Sequence, residues 1–449
     1  MLRMASPFAP DRVRALAQAH GTPLWLYDAP TIRARVARLQ RFDTVRYAQK
    51  ANSNTHLLRL MRGLGVTVDA VSAGEIERAL HAGYAGLAGL TGAGDATAAS
   101  GIVFTADVID RPTLALVIRH RIPVNAGSVD VLDHLGEALA AAAAPGSTPP
   151  TGAGRHPVWL RINPGFGHGH SRKTNTGGEH SKHGIWPTDL PAALAAIERH
   201  GLRLEGLHMH IGSGVDYGHL ARVCDAMVAQ VADAAALGHR VEAISAGGGL
   251  SIPYRASDPV VDTDHYFGLW DEARQRIARM LGRPVRLEIE PGRYLVAEAG
   301  ALVAEVRAVK DQGREHFVLC DAGFNDLVRP AMYGGHHAIT VVDDPSSTAS
   351  PDAASALAAS RPTVVAGPLC ESGDVFTQDD HGVVQPRPLP ACGVGDLLVF
   401  HDAGAYGASM SSNYNSRPLA TEVLVDGDVD RVIRRRQTMA ELLALENVD

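Results

Sequence analysis

Lysine is scarce in this chain: Lys50, Lys173, Lys182 and Lys310 are the only four, and every other basic residue is arginine. No Gly-Lys dipeptide occurs, which excludes a P-loop grip on a nucleotide. Cysteine is equally sparse. Cys224, Cys320, Cys370 and Cys392 show no CxxC spacing and are too few to staple 449 residues, so reduced thiols are expected. No apolar run reaches the eighteen or so residues that a membrane helix needs, and Asp11, Arg12 and Arg14 stand where a signal peptide would keep its apolar stretch. The expectation is a cytoplasmic protein with no membrane partner. Positive charge is not in excess either: the formal net charge of -7 argues against nucleic acid as a partner. What the chain does have is 45% hydrophobic and 20% charged residues, enough for a large core divided among several domains.

Short β-branched or apolar runs alternate with helical periodicity from about residue 45. The runs fall at 45–49, 66–71, 101–105, 122–125, 158–162, 204–210, 241–245 and 285–290. Helical stretches are read at 55–62, 73–82, 129–144, 190–200, 220–237 and 265–281. Eight strand-helix alternations predict an α/β fold built on a parallel (β/α)8 TIM-like barrel, with a doubly wound open sheet as the alternative. Beyond about residue 295 the pattern changes to strands without regular helices, at 301–309, 317–320, 363–366, 397–400 and 421–425. The expected organisation is an N-terminal segment, 1–35, packing with the C-terminal domain; a cofactor-binding barrel, 36–294; and a mainly β C-terminal domain, 295–449. Residues 140–157 and 343–361 have the composition of surface insertions.

Barrel enzymes place reactive groups at the carboxyl ends of the strands. Here those ends carry Lys50, Asp69, Arg161 with Asn163, His208 with His210, the triple glycine Gly247, Gly248 and Gly249, and Glu290 followed by Pro291, Gly292 and Arg293. A lysine at a barrel mouth is expected to be partly desolvated and nucleophilic toward an aldehyde. A triple glycine lets backbone N–H groups approach a phosphate, although a plain tight turn is the rival reading. Glu290 suits a protonated ring nitrogen, or else an ion pair with Arg293. His208 and His210 are read as facing opposite sides of their segment, which leaves no metal pair, and a flat imidazole there suits stacking on a planar cofactor. The histidines at 168–183 are read as a solvated loop, so no metal is expected. Lysine, phosphate loop, carboxylate and stackable histidine together describe a pocket for pyridoxal 5'-phosphate.

The chain closely resembles the diaminopimelate decarboxylases, of the alanine-racemase-like (fold type III) class of pyridoxal phosphate enzymes. The resemblance runs over almost the whole length. It is carried by Tyr47-Ala48-Gln49-Lys50-Ala51-Asn52, His208-Met209-His210-Ile211-Gly212-Ser213, Gly247-Gly248-Gly249-Leu250, Glu290-Pro291-Gly292-Arg293, Asn325 through Tyr333, Gly367-Pro368-Leu369-Cys370-Glu371-Ser372-Gly373-Asp374, and Gly404-Ala405-Tyr406-Gly407. It departs at Gln49, Gly214 and Ser251, none of them at a proposed catalytic group.

The resemblance implies that Lys50 links covalently to the cofactor, His210 stacks on its ring and Glu290 pairs with the ring nitrogen. Ser213, the three glycines, Glu290 through Arg293 and Tyr406 would hold the cofactor. Arg293, Arg329, Tyr333, Glu371 and Tyr406 would contact substrate, with Cys370 as proton donor. It further implies a homodimer in which Cys370 and Glu371 enter the partner subunit's pocket. The reaction expected is decarboxylation of meso-2,6-diaminopimelate to L-lysine and CO2, the last step of lysine biosynthesis. An arginine for the distal carboxylate and Glu371 for the distal ammonium match that substrate, whereas ornithine would leave an arginine unpaired. The alternatives are a decarboxylase of ornithine, arginine or another diamino acid, a racemase, or a catalytically inactive regulatory relative.

Overall fold

The computed structural model describes residues 7–90, 100–144, 150–167, 176–210, 212, 214, 216–342 and 360–448. Two units emerge. One comprises Val36–Ser251 and Val261–Gly292, the other Met1–Arg35, Ile252–Val260 and Arg293–Asp449. The division differs from the 36–294 barrel boundary in two places: Ile252–Val260 and the residues from Arg293 onward group with the second unit.

The first unit is a closed barrel of eight parallel strands. They are Thr44–Ala48, Thr67–Ala70, Ile102–Ala106, Val124–Ala126, Pro157–Arg161, Arg203–His208, Ala243–Ser245 and Arg286–Ile289. The last closes on the first through Thr44 opposite Glu288. Each of the eight apolar runs overlaps one of these strands, and the closure of the barrel excludes the open sheet.

Side chains that cap helices stand just past the strand ends. Asn54 accepts from His56 N at 3.0 Å, Ser72 from Glu75 N at 3.2 Å, Asp110 from Thr113 N at 2.9 Å and Asp216 from His219 N at 2.9 Å. These caps satisfy the first free N–H groups of each helix and turn the chain outward. The helix Arg111–His120 begins on the Asp110 cap with Pro112 in its first turn, a start signal that the periodicity reading passed over. Gly206 permits a close approach between strands: a Cβ there would stand 2.3 Å from the Ala243 carbonyl oxygen and 2.5 Å from the Trp159 ring.

Inside the barrel Arg46 Nε donates to Glu288 Oε2 at 2.6 Å, with the guanidinium 5.5 Å from the Trp159 ring centroid. Arg46 is 7% exposed and Glu288 2% exposed, so neither charge can recover water if the other is removed. Arg46→Leu is therefore expected to cost about 3–5 kcal/mol of stability in denaturant titration, and the double variant Arg46→Leu/Glu288→Leu to recover most of it.

In the second unit the strand Leu24–Asp28 pairs antiparallel with Gly300–Gln312 and parallel with Thr421–Asp426. It thereby joins a nine-stranded sheet whose other members come from beyond residue 299. Leu24, Leu26, Val303, Val399 and Val423 form the heart of its apolar core. Three further strands, Ile339–Val342, Arg387–Leu389 and Val429–Arg434, and the helices Pro10–His20 and Ala29–Ala37 were not separated by periodicity. Arg387–Leu389 and Val429–Arg434 carry too few apolar positions to show a period of two, and Ile339–Val342 is only four residues long. The stretches 140–157 and 343–361, expected to be surface insertions, lie partly outside the described residues.

Candidate active site

Lys50 sits in a single 3-10 turn, Gln49–Ala51, that follows the first barrel strand. The turn is fixed from below: Tyr47 Oη donates to the Asn52 carbonyl at 2.9 Å and Gln49 Nε2 to the Glu75 carbonyl at 3.1 Å. Gly292 packs against the same turn, since a Cβ there would lie 3.1 Å from the Ala48 carbonyl oxygen and 3.3 Å from Ala51 Cβ. Pro291 accepts from Ala48 N at 3.1 Å. Lys50 itself is exposed on this turn. Its turn lifts it past the strand end, beyond the packed layer that buries Tyr47 and Ala48.

Glu290 is buried and accepts on both oxygens: His208 Nε2 lies 2.7 Å from Oε2, and Ser245 Oγ donates to Oε1 at 3.2 Å. Burial alone would raise its pKa, but the hydrogen-bonded His208 and the charge of Arg46 outweigh that and hold it down to about 2, so the carboxylate is ionised. The reading of His208 and His210 as facing opposite sides is corrected here. Residues two apart share a face of a strand. The strand ends at His208, whose ring turns to Glu290, while His210 lies beyond it beside the glycine loop.

His210 Nδ1 is buried with no hydrogen-bond partner among the described residues. Burial first, then the charges of Arg161 and Lys50, keep this imidazole well below its ordinary pKa, so the ring is neutral. The glycine loop is moulded to it. A Cβ on Gly247 would meet His210 Cβ at 2.7 Å, and one on Gly248 would meet the Glu290 carbonyl oxygen at 2.7 Å and His210 Cε1 at 3.5 Å. Gly247 (φ +61) and Gly249 (φ +104) also hold left-handed backbone that favours glycine. Beside the loop lies a small open pocket whose lining includes Met209, Gly212, Gly249, Tyr266 and Trp270. Ser213 lies outside the described residues.

Asp69, at the end of the second barrel strand, complements Glu290. Burial first, then the charge of Glu290, pushes its carboxyl well above the usual aspartate range, with Thr105 and Lys50 pulling the other way. The two neighbouring acids are thus shifted in opposite directions. A carboxyl raised above its unfolded pKa of about 4 stabilises the fold fully below that pH and loses the contribution as pH climbs toward the folded value. Asp69→Asn, which keeps the neutral shape, is expected to raise the thermal midpoint at pH 8 and to lose that advantage near pH 4. Equal shifts at both pH values would contradict a neutral Asp69.

The loop histidines are not all solvated. His183 Nδ1 bonds Asp107, Gly184 N donates to Asp107 Oδ1 at 2.9 Å, and the buried Arg161 reaches His183 at 3.4 Å. His183 and Asp107 thus tie the loop to the end of the third barrel strand, while residues 168–175 lie outside the described set.

The second unit gathers another set. Arg329, 7% exposed, and Tyr333 lie on the one-turn helix Arg329–Tyr333. Arg293 Nη1 donates to Tyr254 Oη at 2.7 Å, and its guanidinium stands 5.0 Å from the Tyr406 ring centroid. Tyr406 has φ 57, an uncommon backbone for an aromatic residue. The Arg329 guanidinium lies 4.7 Å from the Tyr254 ring centroid. Among the described residues no carboxylate pairs with either arginine. Tyr254 was not singled out in the sequence, where it is one aromatic in a loop. Cys370 and Glu371 are exposed; Asn415 Oδ1 accepts from Cys370 N at 3.1 Å, and Tyr414 Oη donates to Glu371.

The barrel-mouth residues fit pyridoxal phosphate on their own geometry: an amine on a fixed turn, an ionised carboxylate, a neutral flat imidazole and a glycine cradle that any Cβ would fill. A barrel so equipped defines a pyridoxal-dependent enzyme. Comparison with known proteins agrees, for the family described as "Pyridoxal-dependent decarboxylase, pyridoxal binding domain" matches residues 31–297. The diaminopimelate decarboxylase of Streptomyces coelicolor is 62% identical over 435 residues, covering 97% of this chain and 91% of the relative. That of Escherichia coli is 60% identical over 436 residues, covering 97% and 96%. A crystal structure of diaminopimelate decarboxylase superposes with TM-score 0.88 at 56% identity, covering 100% of this chain and 99% of the other. The Helicobacter pylori diaminopimelate decarboxylase complexed with L-lysine gives TM-score 0.79 at 29% identity, covering 96% and 98%. The chain belongs to the diaminopimelate decarboxylase family.

Proposed function

We propose that this chain, with pyridoxal 5'-phosphate, decarboxylates meso-2,6-diaminopimelate to L-lysine and CO2, the closing step of lysine biosynthesis in the cytoplasm. The observation that carries the substrate is the pair of half-buried to buried arginines, Arg293 and Arg329, with no acidic partner among the described residues. Two such cations call for an anionic ligand, and a carboxylate matches a guanidinium fork. The relatives named above act in the same sense, and the Helicobacter pylori structure holds L-lysine.

The pyridoxal cofactor, when bound, supplies an electron sink for the pair left behind as CO2 departs. Lys50 would hold it covalently. Ionised Glu290, fixed by His208 and Ser245, would pair with the ring nitrogen and favour its protonated form, and neutral His210 would offer a flat face without adding positive charge. Gly247, Gly248, Gly249, Ser213, Pro291, Gly292, Arg293 and Tyr406 are assigned to cofactor binding. Cys370 delivers the proton to carbon. Arg293, Arg329, Tyr333, Glu371 and Tyr406 are assigned to substrate, with Glu371 taking the distal ammonium. The working unit proposed is a homodimer, Cys370 and Glu371 serving the partner's site; their exposure supports that role.

The test is discrimination. A site built to pair a distal carboxylate rejects the analogue without it by about 10⁴-fold in kcat/KM. Turnover of meso-diaminopimelate with ornithine at least about 10³-fold poorer is expected. Comparable values for the two would favour the broader diamino-acid reading.

A further inference from the structure

We propose that His337 and Tyr254 are positioning residues that hold Arg329 and Arg293 as a two-arginine clamp for the substrate's distal carboxylate. This rests on the function proposed above. His337 is 2% exposed, with Nδ1 2.9 Å from the His401 carbonyl and Nε2 2.8 Å from Arg329 Nη1. A carbonyl only accepts, so Nδ1 carries the hydrogen; a guanidinium only donates, so Nε2 presents its lone pair. The tautomer is thereby fixed and the ring neutral. Its surroundings reinforce this: Arg387 Nη1 donates to the His337 carbonyl at 2.7 Å, and burial followed by Arg329, with His336 and Arg387 adding to it, keeps the imidazole well below its ordinary pKa.

Tyr254 completes the arrangement. Its ring meets His337 edge-on at 5.6 Å and 78°. Its hydroxyl accepts from Arg293 at 2.7 Å, while the ring lies 4.7 Å from the Arg329 guanidinium. Two like charges therefore share one aromatic, and each gives one N–H to a neutral acceptor. An acidic partner would orient an arginine but cancel its charge. A neutral imidazole and a phenol orient it while leaving the positive charge and the remaining N–H groups for a ligand.

The experiment uses the cofactor-loaded full chain with His337→Leu, His337→Gln and Tyr254→Phe. Steady-state constants for meso-diaminopimelate are measured beside competitive inhibition by L-lysine, which carries a carboxylate, and by cadaverine, which does not. His337→Leu is expected to raise KM and the L-lysine inhibition constant about tenfold or more while cadaverine changes less than about twofold. His337→Gln, which retains an acceptor, recovers most of the loss, and Tyr254→Phe weakens L-lysine selectively. Cofactor absorbance and thermal midpoint stay near wild type. Unchanged L-lysine affinity in His337→Leu, or equal weakening of both inhibitors, overturns the proposal. Should His337→Leu not fold, Tyr254→Phe decides by the same contrast. A wild-type protein that binds L-lysine no better than cadaverine would instead overturn the functional reading itself.

Discussion

Lys50→Ala is expected to lower turnover by at least about 10⁴-fold, with loss of the absorbance that marks covalently held cofactor. Lys50 is exposed on a turn that Tyr47, Gln49 and Gly292 fix without its side chain. Removing the amine should leave stability within about 0.5 kcal/mol of wild type, so the loss is chemical and not a consequence of unfolding. Retained turnover, or retained covalent attachment, would move the link to another lysine. Only Lys173, Lys182 and Lys310 remain for that role.

Cys370→Ala is expected to slow turnover by about 10²–10⁴-fold, the contribution of a positioned proton donor, with cofactor binding intact. The variant keeps the backbone N–H that Asn415 accepts, so the segment bearing Glu371 stays anchored. If the partner subunit supplies Cys370, mixing Lys50→Ala and Cys370→Ala proteins regains roughly a quarter of wild-type activity, since half of the randomly formed dimers carry one intact site. No recovery on mixing, with exchange of subunits demonstrated, would place Cys370 and Lys50 of one site on the same chain.

The barrel was legible because its strands are buried on both faces and stand out as eight apolar runs, and because the polar residues at their carboxyl ends break those runs where function sits. The resemblance to the decarboxylases rested on contiguous motifs at these same ends. What was hidden depends on distant partners. Tyr254 and His337 are more than eighty residues apart, and nothing local marks either as a neighbour of an arginine. Asp107 and His183 are similarly separated, so His183 read as one more histidine in a polar loop. The 3-10 turn that carries Lys50 past the strand end was hidden for a different reason: one turn leaves no periodic trace. The opposite faces assigned to His208 and His210 failed because residues two apart in a strand share a face, and here the strand already ends at His208.

Glu290 and Asp69 show how much the sequence withholds about charge. Both are acids at strand ends, yet their pKa values are pushed in opposite directions, because His208 and Arg46 lie on the side of Glu290 and burial dominates at Asp69. Spacing cannot distinguish them. The three-dimensional neighbours do.

The most direct test is to supply meso-diaminopimelate to the purified full chain, with and without pyridoxal phosphate, and to measure CO2 and L-lysine together. Equimolar formation of both, dependent on the cofactor, is the predicted result. Cofactor held at Lys50 with neither product formed would contradict the assignment of the reaction.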